Sequence, residues 1–505
     1  MQQAWPDELL ASDSMTRLRF AHAVALSLCA TPLAAQLPKA AANTAPMLAS
    51  LDAGAAHYGE MARQIWGFAE VGYMEVKSSA LLQQELRAAG FTITTGVAGE
   101  PTAFIAEYGS GAPVVAILGE YDALPGLSQA ATPERSPISA GGPGHGCGHH
   151  LFGTASTAAA IALKQWMQAN NVRGTLRMIG TPAEEGGAGK VYMVRDGVFN
   201  DVDAVIAWHP GDDNAVNGAM SMANISGKFR FHGLSSHAAA APERGRSALD
   251  GVEVMNVMTN YLREHIPDGS RIHYVITNGG KAPNVVPDEA EVYYVARHQD
   301  MRIVNDIWER ITNAARGAAL GTGTTFELQL VGSVYSLMPN ATLAQVQQRA
   351  LERVGGYTYT PEERAFALQL QNSTAFTKLP LESAARVKPL AIDSTGAGAL
   401  GGGSTDVGDV SWVVPTVQLT AATWVPGTAA HSWQAVAAGG MSIGAKGMMV
   451  AAKTMALTGA DLFASPATIA TARAELARKR GAGFRYTTVL GTQKPQLDYR
   501  KGSVP

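Results

Sequence analysis

Residues 174–210 read GTLRMIGTPAEEGGAGKVYMVRDGVFNDVDAVIAWHP. The apolar run that opens the stretch reads as a strand, and a glycine-rich break carrying Glu184 and Glu185 follows it. AGKVYMVRDGVF then has helical patterning, and VDAVIAWHP is a second strand that runs into a loop at His209. Strands alternating with helices imply an α/β fold: a mostly parallel sheet flanked by helices.

The pattern extends outward. Upstream, PVVAILGEYDALPG reads as a buried strand ending in a polar loop that holds Asp122. GPGHGCGHHLFG, at 142–153, follows a loop rich in Gly, Pro and Ser and leads into the helical stretch TASTAAAIALKQWMQAN. Ligands of such sheets sit beyond the carboxyl ends of the strands. Asp122, Glu184, Glu185 and His209 all fall there. The middle of the chain changes character. MSMANISGKFRFHG, SALDGVEVMNVMTNYLREH, RIHYVITNG, EAEVYYVARHQ, VNDIWERITNAARGAAL and TTFELQLVGSVY run strand, helix, strand, strand, helix, strand. That order defines a ferredoxin-like α+β unit, inserted at about 223–335. Helix and strand alternation then resumes through PTVQLTAA and a long helix, and the tail beyond residue 460 carries one more helix and loosely patterned basic sequence.

A chain of 505 residues exceeds one core and predicts two or three domains. With 46% hydrophobic and 16% charged residues and a formal charge of -3, it lacks the basic excess of a nucleic-acid binder. From Met15, MTRLRFAHAVALSLCATPLAAQ has two arginines, an apolar run and small residues at Ala34 and Ala35, the pattern of a cleaved secretory signal. This predicts a secreted or periplasmic protein, with residues 1–35 as signal peptide and upstream extension. No later run reaches the roughly 18 apolar residues of a membrane span. Cleavage would remove Cys29 and leave Cys147 as the one cysteine, so no internal disulfide could form. Cys147 is then a buried spectator, a reactive thiol or a metal ligand, and its neighbours favour the last.

Cys147 and His149 form a Cys-Gly-His unit, Glu184 and Glu185 follow a strand, His209 ends the next, and His431 lies far downstream in WVPGTAAHSWQ. Thiolate, imidazole and carboxylate together suit zinc, manganese or cobalt. Adjacent glutamates suit a division of labour, one holding metal while the other moves a proton. Competing motifs fail. GAGALG at 396–401 joins no strand to a helix within a βαβ unit, GGAGKV lacks the ends of a P-loop, and GLSSHA has His237 where a nucleophile elbow needs glycine.

GHGCGHHLFGTA, GTPAEEGGAGK, AWHP, GLSSHAAAAPERGRSALD, NVVPDEAEVYYVAR and GTAAHSW occur in the order found in M20-type metallopeptidases and aminoacylases. The chain resembles most the amidohydrolase branch that holds the p-aminobenzoyl-glutamate and indole-3-acetyl-amino-acid hydrolases. The resemblance covers about 47–459. It implies a zinc-exopeptidase-like catalytic domain at 47–222 and 336–460, a lid and dimerisation domain at 223–335, and a tail at 461–505. It further implies two divalent metal ions held by Cys147, His149, Glu185, His209 and His431. Glu184 would be the general base, and Asp122 would orient a ligand. His237 would stabilise the oxyanion in a partner subunit's site. Asn284 and Arg297 would hold a substrate carboxylate. The expected reaction is hydrolysis of an amide joining an aromatic or acyl group to a carboxylate-bearing amino acid, by a homodimer or larger homo-oligomer. A dipeptidase, or a metal-binding protein without catalysis, is the alternative. One residue departs from the branch: His150 stands where Asp or Asn is usual.

Overall fold

Seven strands of the computed structural model form one sheet: β1 (Thr92–Thr95), β2 (Phe104–Ser110), β3 (Val114–Gly119), β4 (Gly174–Gly180), β5 (Ala204–Gly211), β6 (Ala215–Val216) and, after an insertion, β11 (Thr416–Ala422). Their spatial order is β1-β2-β4-β3-β5-β11-β6. The central block β4-β3-β5-β11 is parallel, whereas β1, β2 and β6 pair antiparallel at the margins. The alternation of strands and helices therefore holds for the centre, and the whole sheet is mixed. The structure describes residues 40–373, 378–393 and 403–502. The signal segment expected at 1–35 and GAGALG lie outside them.

The parallel block explains its own sequence. Strands covered on both faces read as continuous apolar runs. Val115 to Leu118 and Ala204 to Trp208 are fully buried. Helices Ala45–Phe68, His149–Ala169 and Ser442–Ala464 pack on one another, and the last two also contact the sheet. His149–Ala169 is buried along most of its length, and its alanines allow close approach. Each large apolar side chain so buried contributes about 1.5–3 kcal/mol. Among the described residues no single helix is long and apolar enough to cross a membrane.

The insertion forms a second sheet of β7 (Ala223–His232), β8 (Arg271–Asn278), β9 (Glu289–His298) and β10 (Thr325–Val334). Its order is β10-β7-β9-β8, antiparallel throughout. Helices Ala248–Leu262 and Met301–Thr322 pack against it, in the strand and helix order that the sequence predicts. In Met301–Thr322 the buried residues Val304, Ile307, Trp308, Ile311, Ala315 and Ala318 recur at helical spacing and share a core with Phe229 and Phe231.

Candidate metal centre

Four loops at the carboxyl end of the parallel block converge. Glu120 and Asp122 follow β3, Glu184 and Glu185 follow β4, His209 lies near the end of β5, and His431 comes after β11. Cys147 and His149 enter through Gly148, whose φ of +77° starts the helix His149–Ala169. A Cβ at Gly148 would stand 2.7 Å from Pro210 Cβ, so only glycine lets this loop close against the end of β5.

Three sets of donors gather: Cys147, His149 and His209; Cys147, Glu185 and His431; and Glu120, His149 and Glu184. Within each set the atoms lie inside 4.8 Å of one another. That span suits an ion about 2.0–2.3 Å from each donor. The first two sets share Cys147 and together contain all five residues expected as ligands. Their chemistry fits a transition metal. His149 Nε2 is buried 3.1 Å from Glu120 Oε2, so both atoms face the cluster rather than solvent. His209 donates from Nδ1 to the Pro210 carbonyl at 2.7 Å, which leaves the Nε2 lone pair 3.4 Å from Cys147 Sγ. His431 Nε2 is 3.0 Å from Glu185 Oε1, and its backbone sits at φ +58°, an uncommon region for a residue other than glycine. The His431 side chain is 54% exposed, so the cluster opens to solvent on that side.

Electrostatics separate the two glutamates. Burial, then the neighbouring carboxylates of Glu120 and Glu185, raises the pKa of Glu184 well above the usual carboxyl range. Burial also opposes ionisation of Glu185, but the hydrogen bond from His431 and the charge of His149 prevail and lower its pKa. One carboxyl holds a proton readily while its neighbour stays anionic, which is the division an acid–base residue and a ligand need. Burial works against protonation of His149, yet Cys147, Asp122 and Glu120 outweigh it and hold its pKa well above the imidazole value. Burial brings His209 down to about 4, so it is a neutral donor.

Asp122 enters none of the three donor sets. It accepts His149 Nδ1–H at 2.8 Å and the Glu185 amide at 2.9 Å. His150 is fully buried and belongs to none of the donor sets. Its Nε2 donates to the Gly439 carbonyl at 3.1 Å, and its ring leans on His145 at 4.9 Å. The departure thus ties the metal loop to the helix Trp433–Gly439 that follows His431.

Three expected residues stand apart. His237 and Asn284 are exposed neighbours: Ala238 N–H donates to the Asn284 carbonyl, and His237 pairs with Val285. His237 Nδ1 accepts from the amides of Ala239 and Ala240, leaving Nε2–H as a donor. Arg297 is half-buried on β9 and donates to Ser404 Oγ at 3.0 Å. None of their described hydrogen bonds or ion pairs reaches the Cys147 cluster.

Other residues of the centre escape the sequence. Lys190 is fully buried between Glu120 and Asp406, 2.7 Å from a carboxylate oxygen of each. A lysine after GGAG carries no mark of burial beyond the apolar VYMV that follows it. Tyr499 and Arg500, in the basic tail, reach the Glu185 carbonyl.

Residues 116–432 match the model of Peptidase family M20/M25/M40, and the chain belongs to this family of amide-bond hydrolases. It is 42% identical over 419 residues to a subunit of the p-aminobenzoyl-glutamate hydrolase of Escherichia coli K12, covering 78% of this chain and 86% of that protein. It is 30% identical over 381 residues to the Xaa-Arg dipeptidase of Mus musculus, covering 73% and 77%. The crystal structure of a Bacillus subtilis dinuclear metal-binding peptidase from the M20 family has the same fold, with a TM-score of 0.55 and 19% identity over 82% of this chain and 99% of that one.

Proposed function

We propose that the chain is a two-metal amidohydrolase that cleaves the amide between an aromatic or acyl group and a carboxylate-bearing amino acid. The observation that carries this is the pair of donor triads that share Cys147, with Glu184 beside them. When bound, two divalent ions (zinc, manganese or cobalt) would supply Lewis-acid polarisation of the scissile carbonyl and lower the pKa of water. Cys147, His149, Glu185, His209 and His431 would hold them. Glu184 takes a proton from the attacking water and returns it to the leaving amine, a role its raised pKa suits. His237, with Nε2–H free to donate, would stabilise the oxyanion, and Asn284 and Arg297 would hold the substrate carboxylate. The exposure of His237 and Asn284 supports service to a second copy of the chain, hence a homodimer or larger assembly joined through the inserted sheet. The segment from Met15 supports export, to the periplasm or beyond.

Likeness to the p-aminobenzoyl-glutamate hydrolase supports an aroyl-amino acid as substrate. Likeness to an Xaa-Arg dipeptidase favours a dipeptide as the second reading. A binding protein without catalysis has no use for the separated carboxyls of Glu184 and Glu185. The deciding experiment is a hydrolysis screen of the metal-loaded chain over p-aminobenzoyl-glutamate, indole-acetyl-aspartate, acyl-amino acids and Xaa-Arg dipeptides. Release of amino acid from the aroyl or acyl substrates is expected. Cleavage of dipeptides alone would establish the second reading, and no release with metal bound would overturn both.

A further inference from the structure

The segment after helix Pro466–Arg480 has no regular secondary structure, yet it is fastened along its length. Leu490 is 3% exposed and packs with Val191, Tyr192 and Val334. Arg195 Nη1 donates to the Gln493 carbonyl at 2.5 Å, and Gln496 Nε2 donates to the Leu330 carbonyl on β10 at 2.8 Å. The segment ends on the Glu184–Gly187 turn. Tyr499 Oη–H donates to the Glu185 carbonyl at 3.0 Å, and the Arg500 guanidinium donates to the same oxygen.

That turn needs outside support. Glu185 has φ −72° and ψ +68°, Gly186 has φ +90°, and Ala183 and Ala188 on either side have φ +56° and +53°. The turn closes on a bond from Gly187 N–H to the Ala183 carbonyl at 3.0 Å, and the Glu185 carbonyl takes its partners from outside the turn. The two tail donors occupy it, while Asp122 takes the Glu185 amide from the other side. Tyr499 also has a fitted slot. A Cβ at Gly72 would stand 2.2 Å from its hydroxyl and one at Gly187 3.2 Å from its ring, and the Tyr73 ring meets it edge-on at 5.7 Å. Both tail residues lie beyond the residues matched to the family.

We propose that Tyr499 and Arg500 are positioning residues that clamp the Glu185 backbone so that its carboxylate meets the metal site, making the C-terminal segment a working part of the hydrolytic centre. Carboxylate–metal bonds span only about 2.0–2.2 Å, so a small slip of this peptide costs affinity directly. The proposal rests on Glu185 being a ligand.

The test is the zinc dissociation constant of the full chain, read by competition with a chromophoric chelator well below the melting temperature of every variant. Tyr499→Phe and Arg500→Met are each expected to bind zinc about ten-fold more weakly, and the double variant up to about a hundred-fold. Arg500→Lys, which keeps one donor, should recover part of the loss. Wild-type affinity in the double variant would overturn the clamp. Glu185→Gln serves as reference, and wild-type affinity there would instead overturn the ligand assignment beneath the proposal.

Discussion

Asp122 Oδ1 lies 2.8 Å from His149 Nδ1, and both side chains are fully buried. The carboxylate holds the Nδ1 side of His149, which leaves Nε2, 3.1 Å from Glu120 Oε2, as the nitrogen open to a cation. The other oxygen of Asp122 holds the Glu185 amide, so one residue orients donors from two loops. Asp122→Asn keeps the shape and loses the charge. Metal affinity, measured by chelator competition, should fall about 10- to 100-fold. Unchanged affinity would show that His149 needs no such orientation.

Cys147 belongs to both triads, and burial, then the Glu185 carboxylate, raises its thiol pKa in the metal-free protein. A cation must displace that proton, so metal uptake by the wild type should release acid and weaken as pH falls. Cys147→Ser should lose metal from both triads, leaving well under the about two ions per chain of a two-metal centre. Elemental analysis reads this directly, and loss of one ion alone would confine Cys147 to one triad.

Lys190 is the ammonium that bridges Glu120 and Asp406, and Glu120 also has His149 Nε2 at 3.1 Å. Lys190→Met would leave two buried carboxylates without it. Breaking a buried pair from one side costs about 3–5 kcal/mol. Urea unfolding of the chelator-stripped protein should show a loss of that order, partly recovered by adding Glu120→Gln. A loss below about 1 kcal/mol, as for a surface pair, would refute the buried network.

Asp409 sets a pH dependence. Burial raises its carboxyl to about 8, with hydrogen bonds from Tyr486 Oη–H and the Tyr335 amide opposing the shift. Unfolded, the group ionises near pH 4. Between about pH 4 and pH 8 the folded chain therefore holds one proton more than the unfolded chain, and this contribution to stability falls as pH rises through that window. Asp409→Asn removes the effect. The stability of wild type relative to Asp409→Asn should decline from pH 5 to pH 8, and a constant difference would contradict the assignment.

The parts of the fold that could be read from sequence are those where burial leaves a period. The parallel strands are unbroken apolar runs, and Met301–Thr322 shows one apolar stripe. The edge strand β1 is mostly exposed, so its TITT carries no comparable signal. Cys147, His149, His209 and His431 stood out because Cys and His are scarce in this chain, and Glu185 because it follows a strand, and the structure gathers their donor atoms. Glu120 and Lys190 did not stand out, because common charged residues announce burial only through partners distant in sequence. Tyr499 and Arg500 were hidden for the same reason: they act through a single backbone oxygen more than 300 residues away in the chain. His150 broke the expected motif, and its hydrogen bond to Gly439, 289 residues on, gives the reason for a ring there.

Glu184→Gln, with metal content and amide hydrolysis measured on the same preparation, probes the proton shuttle at the heart of the proposed reaction. Metal content should equal that of wild type, and turnover should fall by about 10²- to 10⁴-fold. Retained turnover with metal in place would contradict the assignment of Glu184, since the proton would then be carried by some other group.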